Sequence, residues 1–371
     1  MPALIDKVKH MDHYIRGRTW IAGLFSEGRV AKRAGQKGSN FKYTEEEKQS
    51  WRENPESYMR YRKELEYELQ TLYSKSQRGS GLNSSSRAQY TADMQERLKA
   101  KPELLEMLLP DFPPLCKRLT PGPGYLEALT APNITVVSNP ITSIDENGVV
   151  TADGTHRPVD AIVCATGFQT SPGGGFPILG RNGVNLRQRY AERPETYLGL
   201  CTDGFPNFFQ SLGPNSFQGA GSLLIMMEQI HAYVAEVLGR MAYDNIGIVE
   251  PKQRQVQNFT NYAEKYFERT VYTADCSSWY KSPPPGNTSL EGRSYHRVTA
   301  LWPGSSLHAT KVLSRVRWED FETKPYDGNE FGWFGNGCIL GETGKNVQNE
   351  AVTWYLSNTD FVDDVDIGKG A

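Results

Sequence analysis

The sequence predicts an α/β protein that carries a helical segment, and three observations point there. Between Thr44 and Pro110, apolar residues recur at helical spacing. After Pro110 they shorten to strand-length runs bounded by turn residues. Residues 206–238 then read as a short strand, a glycine-rich turn and a helix in succession. At 371 residues the chain could hold two or three domains of roughly 100–200 residues each.

Taken in order, residues 1–25 alternate weakly and read as a helix tail followed by a strand. Thr44 and Glu47 have the spacing of a capping box, in which each side chain satisfies the other's backbone N–H. Asn54-Pro55 restarts a helix whose face carries Tyr58, Tyr61, Leu65, Leu69 and Leu72. The polar stretch SQRGSGLNSSS (76–86) reads as a loop before another helix. Pro102 then opens a short helix with Leu104, Leu105 and Leu108.

NITVVS (133–138) and ITSI (141–144) read as strands, with turns at Asn147-Gly148 and Asp153-Gly154, where positive φ is favoured. AIVCA (161–165) predicts a strand buried on both faces and closed by the small residues Thr166 and Gly167. PNFFQSLG (206–213) predicts a strand leading into GPNSFQGAGS (213–222). The next helix, 222–238, presents Leu224, Met227, Ile230, Val234 and Val237 and ends at Gly239. A further amphipathic helix over about 252–269 carries Val256, Phe259, Tyr262 and Tyr266. Residues 326–371, rich in Gly, Asn and Asp, read as a loosely ordered tail.

Lys+Arg 41 against Asp+Glu 43 is close to balance, so charge gives no reason to expect nucleic acid or an anionic membrane as partner. No apolar run approaches the roughly 20 residues of a membrane span, and the first residues lack the apolar core of a signal peptide. Five scattered cysteines without a C-x-x-C pair argue against a disulfide framework and a structural zinc site, and for a reducing, cytoplasmic location. None of the six histidines has metal-ligand spacing, so no metal is expected. His231 reads as structural and His308 as a minor pocket residue.

Strand, glycine turn and helix in succession can bring a helix N-terminus close to an anionic or electron-rich ligand. Gly213, Gly219 and Gly221 would permit that approach, although a tight turn in an α/β fold has the same composition.

CKR (116–118), AIVCATGF (161–168), GPNSFQGAGS (213–222), CSSWYKS (276–282) and RVTALWPGSSLH (297–308) occur in this order. Together they resemble the C-terminal part of the flavin-dependent Baeyer–Villiger monooxygenases, nearest the fungal branch that modifies polyketides. The resemblance covers about residues 1–322. It implies an incomplete two-dinucleotide-binding-domain flavoprotein with a helical insertion. Residues 1–25 would be a remnant of the NADPH-binding domain, 26–110 the insertion, and 111–168 the rest of that domain, ending in the ATG motif. Residues 169–325 would be the C-terminal part of the FAD-binding domain, and 326–371 the tail.

The implied cofactors are FAD and NADPH, and the implied reaction inserts one oxygen atom from O2 beside a ketone. Arg118 matches the family's catalytic arginine, whose guanidinium keeps its proton and can stabilise negative charge formed during oxygen transfer. Lys117 matches the position facing the NADPH 2′-phosphate. Ala165, Thr166 and Gly167 match the interdomain strand near the cofactors. Gly213 and Leu223 match flavin contacts, and Trp279 a residue beside the nicotinamide.

The family's strand-borne G-x-G-x-x-G motifs and the fingerprint between them are missing. GNGCILG (335–341) lacks the strand and helix such a motif needs, and GETGK fails as a phosphate loop. The chain therefore reads as beginning inside the nicotinamide domain, with an N-terminal half or partner chain wanting, and is expected to hold FAD weakly. A non-catalytic remnant and an N- or S-oxygenating flavin monooxygenase are the alternatives. The Lys117-Arg118 pair and the SWYK…ALWPGSSLH ending favour the Baeyer–Villiger class.

Overall fold

The computed structural model describes residues 1–23, 25–35, 41–167, 173, 175–282, 297–335, 337–338, 353 and 355–356. A short helix, α1 (Pro2–Ile5), leads to two short strands, β1 (Met11–Tyr14) and β2 (Ile21–Ala22). Five helices follow: α2 (Glu27–Ala34), α3 (Glu45–Glu53), α4 (Pro55–Gln70), α5 (Gly81–Arg97) and α6 (Glu103–Leu108). The chain then forms β3 (Thr120–Pro121), α7 (Tyr125–Leu129) and β4 (Ile134–Val137). β1 pairs in parallel with β4, Met11 opposite Ile134, and β2 pairs in parallel with β3, Ile21 opposite Thr120. Parallel partners need a long crossover, and here the helices supply it.

Local chemistry explains the starts of α3 and α4. The Thr44–Glu47 capping box closes in both directions, and the Asn54 side chain accepts from Ser57 N at the start of α4. Residues 81–86, expected in a loop, instead begin α5. Asn83 is buried there because its amide donates to Lys75 O and Pro114 O at 2.8 and 3.0 Å, so a polar residue is satisfied inside the fold. Met94 and Leu98, at the far end of α5, share one core with Trp20, Ile21, Leu104, Leu126, Leu129 and Ile134. The helical segment is thereby packed directly onto the parallel strands.

The next strands form an antiparallel meander of β5 (Ile141–Ile144), β6 (Gly148–Thr151) and β7 (His156–Pro158). The turn at Asp153-Gly154 forms as expected, with Gly154 at φ 79°. The expected Asn147-Gly148 turn shifts to residues 145–147: Gly148 opens β6, neither residue takes a positive φ, and a Cβ on Gly148 would meet Arg157 O. The expected strand at 161–165 does not form. Residues 161–167 pair with no strand among the described residues and are exposed, Val163 at 78%. Apolar content alone leaves backbone N–H and C=O groups without partners, and here no neighbour supplies them.

After α8 (Leu186–Tyr190), residues 206–213 make turns instead of a strand, with Asn207 and Leu212 in the left-handed region at φ 58° and 57°. α9 (Leu223–Tyr243) runs on through Gly239. It buries Met226, Ile230, Tyr233 and Val237, so its inward face is turned from the expected one and Leu224 points outward, 71% exposed. Packing of that stripe outweighs the roughly 1 kcal/mol cost of a mid-helix glycine. His231, expected to be structural, is exposed.

β8 (Ile246–Pro251) and α10 (Gln253–Phe267) follow. Tyr262 of α10 is exposed, while Val256, Thr260, Ala263, Tyr266 and Phe267 are buried. α11 (Ser306–Val312) and β9 (Phe321–Pro325) complete the fold, with β9 antiparallel to β8. The α9, β8, α10 and α11 faces enclose a second core that includes Tyr197, Leu200, Trp302, Leu313 and Phe321. Most of the expected loose tail, and most of GNGCILG and GETGK, lies outside the described residues. No helix among those described is long and apolar enough to cross a membrane.

Candidate functional site

The Lys117-Arg118 pair lies just before β3, whose pairing with β2 is continued by Thr120 N donating to Trp20 O at 3.1 Å. Leu115 is buried in the left-handed region at φ 72°, and Cys116 is fully buried. Lys117 is half-buried and Arg118 exposed. Burial, and then the charge of Arg16, hold the Lys117 ammonium below its ordinary pKa. Arg16, Lys117 and Arg118 enter no ion pair among the described residues. Three cations near β3 are thus without a paired carboxylate among the described residues.

The sequence gives no warning of the link from this segment to the rest of the site. Cys116 is disulfide-bonded to Cys276 across 160 residues, which corrects the expectation of no disulfide. The fold brings the partners together, and neither their spacing nor a local pattern marks them as a pair. Cys276 begins the stretch that holds Trp279, Tyr280 and Lys281. Burial pushes the Tyr280 hydroxyl up to about 12 while the positive charge of Arg118 acts against that rise.

Two backbone contacts join the stretch to residues 297–302: Lys281 bridges Val298, and Thr299 N donates to Tyr280 O at 2.9 Å. Residues 297–302 in turn receive the glycine turn. Phe217 N donates to Ala300 O at 2.9 Å, Trp302 N donates to Phe217 O at 2.7 Å, and the buried Asn215 amide donates to Leu301 O at 2.9 Å. The Phe217 ring stands edge-on to Trp279 with centroids 5.2 Å apart, and Trp279 remains 43% exposed. Arg118, Trp279 and the turn after Gly213 therefore belong to one connected region.

The glycines of the turn are small for a reason other than a ligand. A Cβ on Gly213 would fall 2.5 Å from the Gln210 side chain, one on Gly219 would fall 2.1 Å from the Tyr272 hydroxyl, and one on Gly221 would fall 2.2 Å from Ser306 Oγ. Gly221 also has φ +110°. What approaches the backbone here is the protein itself. The turn does hold one buried donor without a partner, Gln218 Nε2. Leu223 is the first residue of α9 and half-buried.

Ala165, Thr166 and Gly167 are not brought into this region by any hydrogen bond, ring contact or strand pairing among the described residues; Gly167 has φ +82°. His308 serves the loop after Leu301, since its Nδ1 accepts from Trp302 Nε1 at 3.3 Å and its N–H donates to Ser305 Oγ at 3.1 Å. No group of three or more His, Cys, Asp or Glu side chains among the described residues could hold a metal. Arg16, Gln218 and Lys281 were not singled out by sequence. The last two lie inside motifs that were, and Arg16 carries no local signal.

Parallel strands joined across a helical crossover, with a glycine turn seated against residues 297–302, make a fold shared with flavin-dependent Baeyer–Villiger monooxygenases. Cyclohexanone monooxygenase from Rhodococcus sp. Phi1, solved with NADP+, superposes with a TM-score of 0.68 at 21% identity, over 87% of this chain and 64% of that one. OTEMO, solved with FAD and NADP, gives 0.68 at 22% identity over the same shares.

In sequence the chain is a relative of fungal FAD-binding monooxygenases. It is 33% identical over 358 residues to the moxY monooxygenase of Dothistroma septosporum, covering 96% of this chain and 54% of that protein. It is 34% identical over 346 residues to the tazF monooxygenase of Aspergillus terreus, covering 93% and 60%. A Baeyer-Villiger monooxygenase of Pseudomonas aeruginosa is 35% identical over 205 residues. The chain thus spans a little over half the length of the fungal relatives. No family model matches it.

Proposed function

We propose that this region serves an FAD- and NADPH-dependent monooxygenase of the Baeyer–Villiger type, which inserts one oxygen atom from O2 beside a ketone to give an ester or lactone. The observation that carries the reading is the set of unneutralised cations Arg16, Lys117 and Arg118 in the region that also presents the exposed ring of Trp279. Clustered cations without carboxylates favour an anionic ligand, and an indole face suits a flat ring beside it. The relatives' names supply the cofactor class: FAD in the fungal proteins, NADP+ in the solved cyclohexanone enzyme.

The residues present fit part of the cofactor set. Lys117 would meet the 2′-phosphate as a point charge, and Trp279 would lie beside the nicotinamide. Gln218 Nε2, buried without a protein acceptor, is free to donate to a flavin acceptor, with Gly213 and Leu223 nearby in sequence. Flavin would supply the activation of O2 with electrons taken from NADPH. Arg118 would stabilise negative charge that develops during oxygen transfer. Ala165, Thr166 and Gly167 keep their assignment near the cofactors only as part of this proposal.

In the same reading, residues 1–25 and 111–168 come from the NADPH-binding domain, 26–110 from a helical insertion and 169–325 from the FAD-binding domain. The partners are O2 and a small-molecule ketone, in a cytoplasmic setting and a fungal secondary pathway. A further segment or chain would supply the glycine motifs.

These 371 residues hold no strand-borne G-x-G-x-x-G. Protein incubated with FAD and freed of excess is therefore expected to be nearly colourless, and stoichiometric retained flavin would contradict that expectation. For the activity, FAD and NADPH are kept in excess and 18O2 is supplied with cyclic and aryl ketones. One labelled oxygen in the ester or lactone is expected. Arg118→Ala should lower the rate by about 10²–10³-fold, the range for losing one electrostatic stabiliser of the transition state. Unlabelled product, or an unchanged rate in Arg118→Ala, would defeat the proposal.

A further inference from the structure

The buried lysine beside the Cys116–Cys276 bond has no part in the function above. Lys281 is 4% exposed. Its Nζ donates to Ala274 O at 2.5 Å and Cys276 O at 3.1 Å, and lies 3.5 Å from Cys276 Sγ and 3.7 Å from Cys116 Sγ. The ammonium thus sits against both sulfurs of one disulfide, in a place where water is nearly excluded. Cys116 and Cys276 are themselves 0% and 4% exposed. The Asp275 carboxylate supports the lysine's charge, and burial opposes it.

We propose that Cys116, Cys276 and Lys281 form a redox-active dithiol site, in which the lysine favours the reduced state by stabilising a cysteine thiolate. A disulfide is uncharged and offers a buried ammonium little beyond weak sulfur acceptors. A thiolate in the same place carries a full negative charge, and cations beside a cysteine are among the environments that lower its pKa. Whatever stabilises the reduced form alone makes the disulfide easier to reduce.

The co-reactant is a low-molecular-weight thiol of the glutathione class. When local opening exposes the Cys116–Cys276 bond, one thiolate of this class attacks one of its sulfurs, breaking it and forming a mixed disulfide. A second attacks the mixed disulfide, and the two leave joined to each other. Two electrons pass to the protein. Of the two thiol protons, one ends on a cysteine and the other is released to solvent, because the second cysteine stays a thiolate beside Lys281.

The bond joins the segment of Arg118 to that of Trp279, so its state sets how firmly the two are held together; this consequence rests on the functional reading above. The site itself is tested without cofactor or substrate. The full chain is equilibrated at pH 7 in glutathione buffers of graded ratio, quenched in acid and alkylated, and each cysteine is assigned by mass. A single transition is expected in which Cys116 and Cys276 change together while the buried Cys201 stays a free thiol.

Lys281→Met should move the midpoint about tenfold toward the disulfide and remove most of its extra pH dependence, while Lys281→Arg should keep the wild-type midpoint. Circular dichroism confirms that each variant is folded. Equal midpoints for wild type and Lys281→Met would overturn the proposal. So would alkylation of both cysteines in the most oxidising buffer. Because no flavin or nicotinamide is present, failure here leaves the monooxygenase reading untouched, and failure of that reading leaves this result standing.

Discussion

Two short apolar runs in this protein have opposite fates. Ile134–Val137 forms β4, pairs with β1, and buries Ile134 and Val137 to 5% and 4% exposure. Residues 161–165, equally apolar, pair with no strand among the described residues and leave Ile162 and Val163 at 46% and 78%. Composition selects a segment that can be a strand. A neighbour offering a ladder of N–H and C=O groups decides whether it becomes one, and an apolar run without that neighbour is a template for pairing.

The largest effect that follows separates the two runs. Ile134→Ala should destabilise the protein by about 2–5 kcal/mol, the range for emptying a buried aliphatic site. Val163→Ala should stay within about 0.5 kcal/mol, as exposed substitutions do. Urea unfolding of the two variants beside wild type measures both. A large loss in Val163→Ala would mean the run is covered after all.

A smaller effect tests the glycine turn, where the question is whether small residues make room for a ligand or for the protein. Gly219→Ala should cost about 1–3 kcal/mol by overpacking against Tyr272. Adding Tyr272→Phe, which removes the hydroxyl nearest the new methyl, should recover part of it. A neutral Gly219→Ala would return the glycine to the ligand.

An effect of similar size is one of pH and concerns Lys281, joined in the core to the segment of Arg118. Burial lowers its pKa to about 8 from an ordinary value of 10.5. Between those values the unfolded chain binds more protons than the folded one, so stability rises with pH there, and the cost of the buried charge is fully present below pH 8. With the disulfide kept oxidised, wild type should gain on the order of 1–3 kcal/mol relative to Lys281→Met from pH 8 to 10.5. Parallel stability curves for the two proteins would contradict the buried charge.

Features set by neighbours in sequence were legible. The Thr44–Glu47 box, the helix restart at Asn54-Pro55 and the turn at Asp153-Gly154 each depend on a few adjacent residues. Features set by distant partners were not. Residues 81–86 look like a loop until Pro114 and Lys75 accept from Asn83. The inward face of α9 depends on which core it meets, and the Cys116–Cys276 bond depends on the whole fold. The candidate site divides in the same way. The structure links the segments of Arg118 and Trp279 and the turn after Gly213, whose motifs are local, and ties 165–167 to them by no hydrogen bond or strand pairing among the described residues.

The claim that most needs a direct test is that Lys117, desolvated beside Arg16, faces a phosphate. Titration calorimetry of NADP+ and NAD+ against wild type and Lys117→Gln at low salt compares ligands that differ only in the 2′-phosphate. Wild type should favour NADP+ by about tenfold or more, as a charge-assisted contact of about 1.5–3 kcal/mol implies. Lys117→Gln should bind the two nearly alike. Equal binding of both ligands by wild type, or a preference that survives in Lys117→Gln, would contradict the account.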